Sequence, residues 1–179
     1  MKKLNFIIKY GLALLLLSFY SCESWLNVTP SDRLSEEMLF NDREGFVKAL
    51  NGVYIELNTN ELYGRNLTAG ALDVMGQYYS VASSSHAFYN YGGLVYTGND
   101  EKALFDNMWQ KCYAVIACCN TIIEKCDENK AGLSPVWKGS IKGEALALRA
   151  MLHFDMLRLF APAPVNDDGQ AYVPYVETY

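Results

Sequence analysis

The stretch SPVWKGSIKGEALALRAMLHFDMLRLFAPAP, residues 134–164, reads as one long helix. Ser134 can cap its N-terminus, and Pro135 suits the first helical position, where the backbone N–H has no partner within the helix. Pro162 and Pro164 end it, because the residue before a proline is pushed out of the α-helical region. Between these signals, apolar residues recur at the spacing of a helix packed on a core: Val136, Ile141, Ala145, Leu148, Leu152, Met156 and Leu159.

Two further segments have helical periodicity. Residues 35–57 predict a helix pair or a kinked helix, with Asp42 capping the main part. Residues 100–128 predict a long helix in which Asn120, a poor helix former, is a buried hydrogen-bonding residue. A short polar turn joins this helix to the 134–164 helix, so the two should pack antiparallel. The weaker pattern at 61–79 predicts one short helix.

The 134–164 helix contains a run of the form GEA-x-x-LRA-x-x-x-FD-x-x-RLF, from Gly143 to Phe160. This run resembles the signature helix of the SusD/RagB family of nutrient-binding outer-membrane lipoproteins. The segments ALNGVY at 49–54 and VPYV at 173–176 also look like that family.

The resemblance implies an all-α fold, a tetratricopeptide-like helical scaffold with long irregular loops. The sequence itself has no clean 34-residue repeat of the tetratricopeptide type, so this expectation depends on the resemblance. Family members run to several hundred residues. We therefore expect the chain to be the N-terminal part of such a protein, truncated at the C-terminus, with residues 163–179 as a strand or loop.

The N-terminus reads as a lipoprotein signal peptide, residues 1–21. Lys2 and Lys3 precede an apolar core at 12–19 that is too short for a confident membrane-spanning helix. Cys22 is the predicted lipidation site, and an uncleaved anchor is the alternative. Residues 22–34 would form a polar tether, and residues 35–179 an incomplete SusD-like N-terminal helical domain. The resemblance implies a lipid-anchored, surface-exposed protein of the cell outer membrane.

The charge of the chain argues against nucleic-acid binding. The whole chain has 15 basic and 20 acidic residues, a net charge of −5. The first 21 residues contain three lysines and no acid, so the net charge from Cys22 onward is 12 − 20 = −8. Nucleic-acid-binding domains need a basic surface, which this composition does not favour.

Residues 80–99, SVASSSHAFYNYGGLVYTGN, are the long stretch without helical period. Long loops in compact domains are often functional, and the dense aromatic rings favour an ordered loop over a disordered one. In some members of the family that this chain resembles, the loop at this place supplies stacking rings and polar groups to glycan sites. Packing of the rings onto the helices is the alternative. The resemblance thus implies seven candidate ligand-binding residues: His86, Phe88, Tyr89, Asn90, Tyr91, Tyr96 and Asn99.

The carboxylates of the signature helix do not predict a glycosidase. Glu144 and Asp155 are eleven residues apart on one helix, roughly 16 Å, which exceeds the separation of either hydrolytic geometry. Salt bridges suit them better, Asp155 with Arg158 and Glu144 with Arg149 or a lysine. The two histidines have no nucleophile at a recognisable spacing, so we expect a protein that is not an enzyme.

The five cysteines form an odd set, which predicts no disulfide framework. Cys112, Cys119 and Cys126 are spaced by seven and should lie near one face of a helix. Small buried apolar residues are the favoured interpretation. A metal or redox site is the alternative, but no nearby histidine or second ligand pair supports zinc.

Capture of an oligosaccharide for import through a SusC-like TonB-dependent transporter is the function that the resemblance implies, with no cofactor and no metal. Three alternatives stay open. One is a RagB-like uptake protein that binds peptides. Another is a truncated interaction or structural module with no ligand of its own. The third, which the carboxylates do not favour, is a lipoprotein glycosidase.

Overall fold

Helices make up most of residues 36–178, the part of the chain that the computed structural model describes. No strand occurs in this part, so the all-α prediction is confirmed. The predictions for the signal peptide, Cys22 and the tether lie outside the described residues. The helices are α1 (Glu36–Leu39), α2 (Arg43–Leu57), α3 (Ala71–Met75), α4 (Tyr89–Gly92), α5 (Asn99–Glu128) and α6 (Pro135–Phe160), followed by a 3-10 turn (Pro164–Asn166).

Side-chain caps begin two of these helices at the predicted positions. Asp42 accepts a hydrogen bond at Oδ1 from the N–H of Gly45 at 2.8 Å, which separates α2 from α1. Ser134 accepts one at Oγ from the N–H of Trp137 at 3.4 Å. These bonds satisfy N–H groups that have no partner inside the helix. The predicted helix pair and the predicted start of α6 are both confirmed.

α5 and α6 form an antiparallel hairpin. The Nζ of Lys142 lies 2.6 Å and 2.7 Å from the two carboxylate oxygens of Asp127, and Arg149 Nη1 lies 2.9 Å from Asn120 Oδ1. A step of seven residues backward along α5, from 127 to 120, thus matches a step of seven residues forward along α6, from 142 to 149. This register confirms the antiparallel prediction.

Asn129 makes the turn between the two long helices. Its backbone is left-handed, with φ 48°, a region that asparagine tolerates better than most residues. Its side chain accepts from the N–H of Leu133 at 2.7 Å and donates to the carbonyl of Leu133 at 3.2 Å. The side-chain amide of Asn129 thus connects the first residue of the turn to Leu133 at its other end. This turn sets the register of the hairpin.

α2 packs against both helices of the hairpin. The hydroxyl of Tyr54 on α2 donates to Glu144 Oε1 on α6 at 2.6 Å. Arg149 pairs with Glu177 and Lys142 pairs with Asp127, so the predicted salt bridge of Glu144 with Arg149 or a lysine is wrong. Residues five apart on a helix lie about 140° apart around its axis, so Glu144 and Arg149 face different neighbours.

The core between these three helices includes three of the four cysteines of α5. Cys112, Cys119 and Cys126 are all fully buried. Burial raises the pKa of the Cys112 and Cys119 thiols to about 12. These thiols are therefore protonated at neutral pH and pack as small apolar groups, as predicted.

Asp155 links α6 to the segment between α2 and α3. It is 6% exposed and forms the predicted ion pair with Arg158, one turn further along the helix. Its second oxygen accepts a hydrogen bond from the hydroxyl of Tyr63. Burial, followed by this hydrogen bond, raises the pKa of the Tyr63 phenol. The buried carboxylate is thus compensated by one cation and one neutral donor, as buried charges require.

Residues 173–178 pass along the hairpin without regular secondary structure, and side chains of the hairpin bind their main chain. The hydroxyl of Tyr113 donates to the carbonyl of Pro174 at 2.8 Å. The N–H of Val176 donates to Nε2 of His153 at 3.0 Å. The segment therefore docks through its backbone and not only through its side chains. We call the binding side chains the clamp: Tyr113, Asn120, Arg149 and His153.

Candidate functional site

A groove of about 370 Å³ lies between the end of α3 and the short helix α4. We call it the loop groove. Tyr79 and Tyr89 line it, and their rings are 57% and 42% exposed. Gln77 and Asn90 line it too, so aromatic faces and amide groups open on the same space.

Gln77 ties the two sides of the loop groove together. Its Nε2 donates to the carbonyl of Gly92 at 2.8 Å, which connects the end of α3 to α4. Its backbone φ is 61°, and Leu94 beyond α4 has φ 55°. Residues other than glycine adopt this left-handed region only where the surrounding structure holds them there, and such positions cluster at ligand sites.

α4 presents its tyrosines to opposite sides. Tyr91 is 2% exposed and packs edge-on against Phe88 and Phe105, with ring centroids 5.8 Å and 6.0 Å away. Burial, and then the carboxylates of Glu101 and Asp100, raise the pKa of the Tyr91 phenol. The inward ring anchors the loop on α5, and Tyr89 is left facing the groove.

A polar contact also fixes α4 to α5. Asn90 Nδ2 donates to Glu101 Oε1 at 2.7 Å. Glu101 is 6% exposed, and this hydrogen bond lowers the pKa of its carboxyl group. The loop groove therefore has one wall held by aromatic packing and by a hydrogen bond to a carboxylate.

The structure brings together only some of the seven candidate residues. Tyr89 and Asn90 line the loop groove. Tyr96 packs edge-on against Phe105 at 5.4 Å. Packing of the rings onto a helix, the alternative interpretation, thus describes Tyr91 and Tyr96.

The remaining candidates are His86, Phe88 and Asn99. The ring of His86 accepts a hydrogen bond at Nδ1 from the N–H of Phe88 at 3.1 Å, and both rings are in contact at 5.8 Å. The guanidinium of Arg65 lies 5.7 Å from the Phe88 ring. Asn99 is the exposed first residue of α5. None of these three candidates is among the residues that line the loop groove.

Comparison with known proteins identifies the family. Residues 24–177 match the SusD-like family described as "Starch-binding associating with outer membrane". The chain belongs to the SusD-like family. The family resemblance of the α6 run is thereby confirmed.

Two curated SusD-like relatives come from Formosa agariphila. SusD-like protein P2 is 25% identical over 170 residues, which cover 92% of this chain and 31% of the relative. SusD-like protein P25 is 24% identical over 178 residues, which cover 90% of this chain and 31% of the relative. The chain thus spans about a third of the length of these relatives. No solved structure matches it significantly.

The SusD-like chain has a second, larger groove of about 680 Å³ where α6 ends. Phe154 and Tyr172, both partly exposed, line it, and so does Arg158 near the end of α6. Two of its polar side chains are already engaged. Arg158 pairs with Asp155, and the hydroxyl of Tyr172 donates to Asp168 at 2.7 Å.

The sequence pattern does not indicate Gln77 and Tyr79, because the stretch without helical period begins at residue 80. A signal was present: Gly76 follows the apolar residues of α3 and marks the end of that short helix, and two tyrosines come soon after it. The 680 Å³ groove was also missed. It forms between residues of α6 and residues after Pro164, which no local pattern connects.

Two further features are absent from the described residues. Among residues 36–178, no three His, Cys, Asp or Glu side chains converge as metal ligands would. In the same range, no helix is both long enough and apolar enough to span a membrane.

Proposed function

We propose that this SusD-like chain takes part in capturing an oligosaccharide at the outer membrane, with the loop groove as part of the binding surface. The family match over residues 24–177 carries the proposal, because that family is described as starch-binding and associating with the outer membrane. The geometry of the groove supports it.

Tyr79 and Tyr89 can provide the aromatic stacking contacts that a sugar ring makes. The C–H face of a pyranose ring is apolar and stacks on an aromatic ring, while its hydroxyls bond to amides and carbonyls at the rim. Both tyrosine rings are partly exposed, and Asn90 opens on the same groove. Concave sites that combine aromatic walls with a few fixed polar groups are typical of small-ligand binding.

The loop groove is preferred to the 680 Å³ groove because the exposed rings of the larger groove already have partners: the guanidinium of Arg158 lies 5.0 Å from the Phe154 ring, and the hydroxyl of Tyr172 donates to Asp168. The larger groove is walled by Arg158 and Tyr172, whose polar atoms already bond to Asp155 and Asp168. A ligand would have to compete with those partners, and each broken bond to a charged group weakens binding.

Binding without catalysis is the second part of the proposal. The carboxylates of the signature helix have structural partners: Glu144 accepts from Tyr54, and Asp155 from Tyr63 and Arg158. They lie on one helix, too far apart for the paired carboxylates of a glycosidase.

A lipid on Cys22 would hold the protein at the outer membrane, and a SusC-like TonB-dependent transporter would receive the captured oligosaccharide. Replacement of Cys22 by alanine tests the anchor. We expect Cys22→Ala to move the protein from the membrane fraction to the soluble fraction, while wild-type protein stays with the membrane. An unchanged distribution would contradict lipid anchoring at this residue.

Ligand binding is tested by titrating the full-length protein with maltoheptaose, a soluble starch oligosaccharide, in a calorimeter. A short mixed peptide and a buffer blank serve as controls. Saturable binding of maltoheptaose supports the proposal. Binding of the peptide alone would favour a peptide-uptake protein, and binding of neither would favour an interaction module without a ligand.

A further inference from the structure

Glu101 stands out among the buried charged residues because the partner of its carboxylate is a neutral amide. Arg149 and Asp155 have partners of opposite charge, Glu177 and Arg158. Glu101 instead accepts a hydrogen bond from Asn90 at 2.7 Å, although it is only 6% exposed. A carboxylate withdrawn from water in this way has to be compensated by its donors.

The amide orientation of Asn90 follows from this contact. An ionised carboxylate only accepts hydrogen bonds, so the side of the amide that faces it must be the NH₂ group. The flipped amide would place Oδ1 of Asn90 against Oε1 of Glu101, two acceptors in contact. Asn90 lines the loop groove. Because its Nδ2 is engaged by Glu101, the side-chain oxygen Oδ1 is the atom of the amide that is left for a ligand.

Gly98 leaves the space in which the carboxylate of Glu101 lies. A Cβ atom at Gly98 would come within 2.0 Å of Glu101 Oε2. The clashing atom is the end of a flexible side chain, so an alanine would push the carboxylate aside and leave the backbone in place. Any residue can adopt the φ of −76° found at Gly98.

α4 depends on such outside contacts. It is four residues long, and no side chain caps its N-terminus. The ring of Tyr91 packs the inner side of α4 against α5. At the preceding position, the hydrogen bond from Asn90 to Glu101 also holds α4. Because Tyr89 precedes Asn90 directly, the same hydrogen bond fixes the wall on which the Tyr89 ring is presented.

We infer that Glu101 is a positioning residue of the oligosaccharide site: it turns the Asn90 carbonyl oxygen toward the loop groove, where it accepts a hydrogen bond from a neutral sugar hydroxyl. This inference rests on the proposed function of the groove. It assigns the acceptor on the protein and the donor on the ligand. Glu101 itself does not touch the sugar.

A double-mutant cycle on affinity tests this assignment. Full-length wild type, Asn90→Ala, Glu101→Ala and the double variant are titrated with maltoheptaose. We expect each single variant to bind about tenfold more weakly, the effect of one hydrogen bond to a ligand. The double variant should be no weaker than Asn90→Ala, since Glu101 acts only through Asn90.

Two further variants separate positioning from general loss of structure. Glu101→Gln keeps an acceptor for Asn90 and should recover most of the wild-type affinity. Gly98→Ala keeps Glu101 but displaces its carboxylate, so it should weaken binding as Glu101→Ala does. Thermal unfolding of both variants is followed by circular dichroism. We expect the melting temperature to change less than the affinity for maltoheptaose.

The outcomes distinguish this inference from the proposed function. If wild type binds, Tyr89→Ala binds weakly and Glu101→Ala binds like wild type, the positioning role is wrong and the groove remains the site. Additive losses from Asn90→Ala and Glu101→Ala would also overturn it. If wild type does not bind maltoheptaose, the proposed function fails and this inference fails with it.

Discussion

Arg149 donates a hydrogen bond from Nη1 to Oδ1 of Asn120 at 2.9 Å, and both side chains are buried, at 8% and 2% exposed. Asn120 in turn donates from Nδ2 to the carbonyl of Val176 at 3.3 Å. Arg149 also pairs with Glu177 at 3.5 Å. One buried contact between α5 and α6 thus also fixes the segment that follows α6.

Replacing Asn120 by alanine should destabilise the protein by about 1–3 kcal/mol, because it removes the acceptor for Arg149 and leaves buried polar groups without partners. Asn107→Ala, the same change at an exposed position of the same helix, is the control and should alter stability by less than about 0.5 kcal/mol. Urea unfolding measures both. Equal losses for the two variants would show that the clamp contributes nothing specific.

Tyr63→Phe should cost more stability than Tyr54→Phe. Each change deletes one hydroxyl that donates to a carboxylate, but Asp155, the partner of Tyr63, is buried, whereas Tyr54 is 44% exposed. We expect about 1.5–3 kcal/mol for Tyr63→Phe and under about 1 kcal/mol for Tyr54→Phe, from urea unfolding at pH 7. The reverse order would contradict the structural role of the buried contact.

The stability of the protein should fall in alkali partly because of Tyr63. Its pKa is raised in the folded state by burial and then by the bond to Asp155. The unfolded phenol loses its proton above about pH 10, while the folded one keeps it, so this contribution is present below pH 10 and declines above it. Tyr63→Phe should therefore lose less stability than wild type between pH 9 and pH 11. If the free energy of unfolding falls equally with pH in the two proteins, Tyr63 does not contribute to the loss of stability in alkali.

Cys118 should be the first of the four cysteines of α5 to react with iodoacetamide. It is exposed, whereas Cys112, Cys119 and Cys126 are buried. Partial desolvation by neighbouring groups, and then the charge of the nearby Glu56, raise the pKa of the Cys118 thiol. Since the thiolate is the reactive form, labelling should be slow at pH 7 and faster as the pH rises. Peptide mass mapping gives the order, and early labelling of a buried cysteine would contradict the packing of the core.

Much of the helical scaffold could be predicted from local chemistry. Asp42 and Ser134 are caps whose effect lies within three residues, and the apolar stripes of the long helices have a period that the chain itself displays. Asn120 was predicted to be buried and hydrogen-bonded because its residue type conflicts with its place in mid-helix. Patterns of this kind depend only on neighbours along the chain.

The clamp and the loop groove could not be predicted in this way. Asn120 and Val176 are 56 residues apart, and nothing in the sequence near either one specifies the other. The prediction for Glu144 is wrong, because helical spacing favours a cation close in sequence, whereas its hydrogen-bond partner Tyr54 is 90 residues away. Within the loop, Tyr89 and Tyr91 are the same residue type, and only tertiary packing decides which one is buried.

Oligosaccharide binding at the loop groove is tested most directly by replacing both rings that line it. The full-length double variant Tyr79→Ala/Tyr89→Ala is titrated with maltoheptaose beside wild type and Tyr78→Ala. Tyr78 is the matched control, because it is 80% exposed, adjacent in sequence, and absent from the groove wall. We predict that the double variant binds at least about tenfold more weakly, as expected when stacking contacts are lost, and that Tyr78→Ala binds like wild type. Wild-type affinity in the double variant would contradict the assignment of the groove.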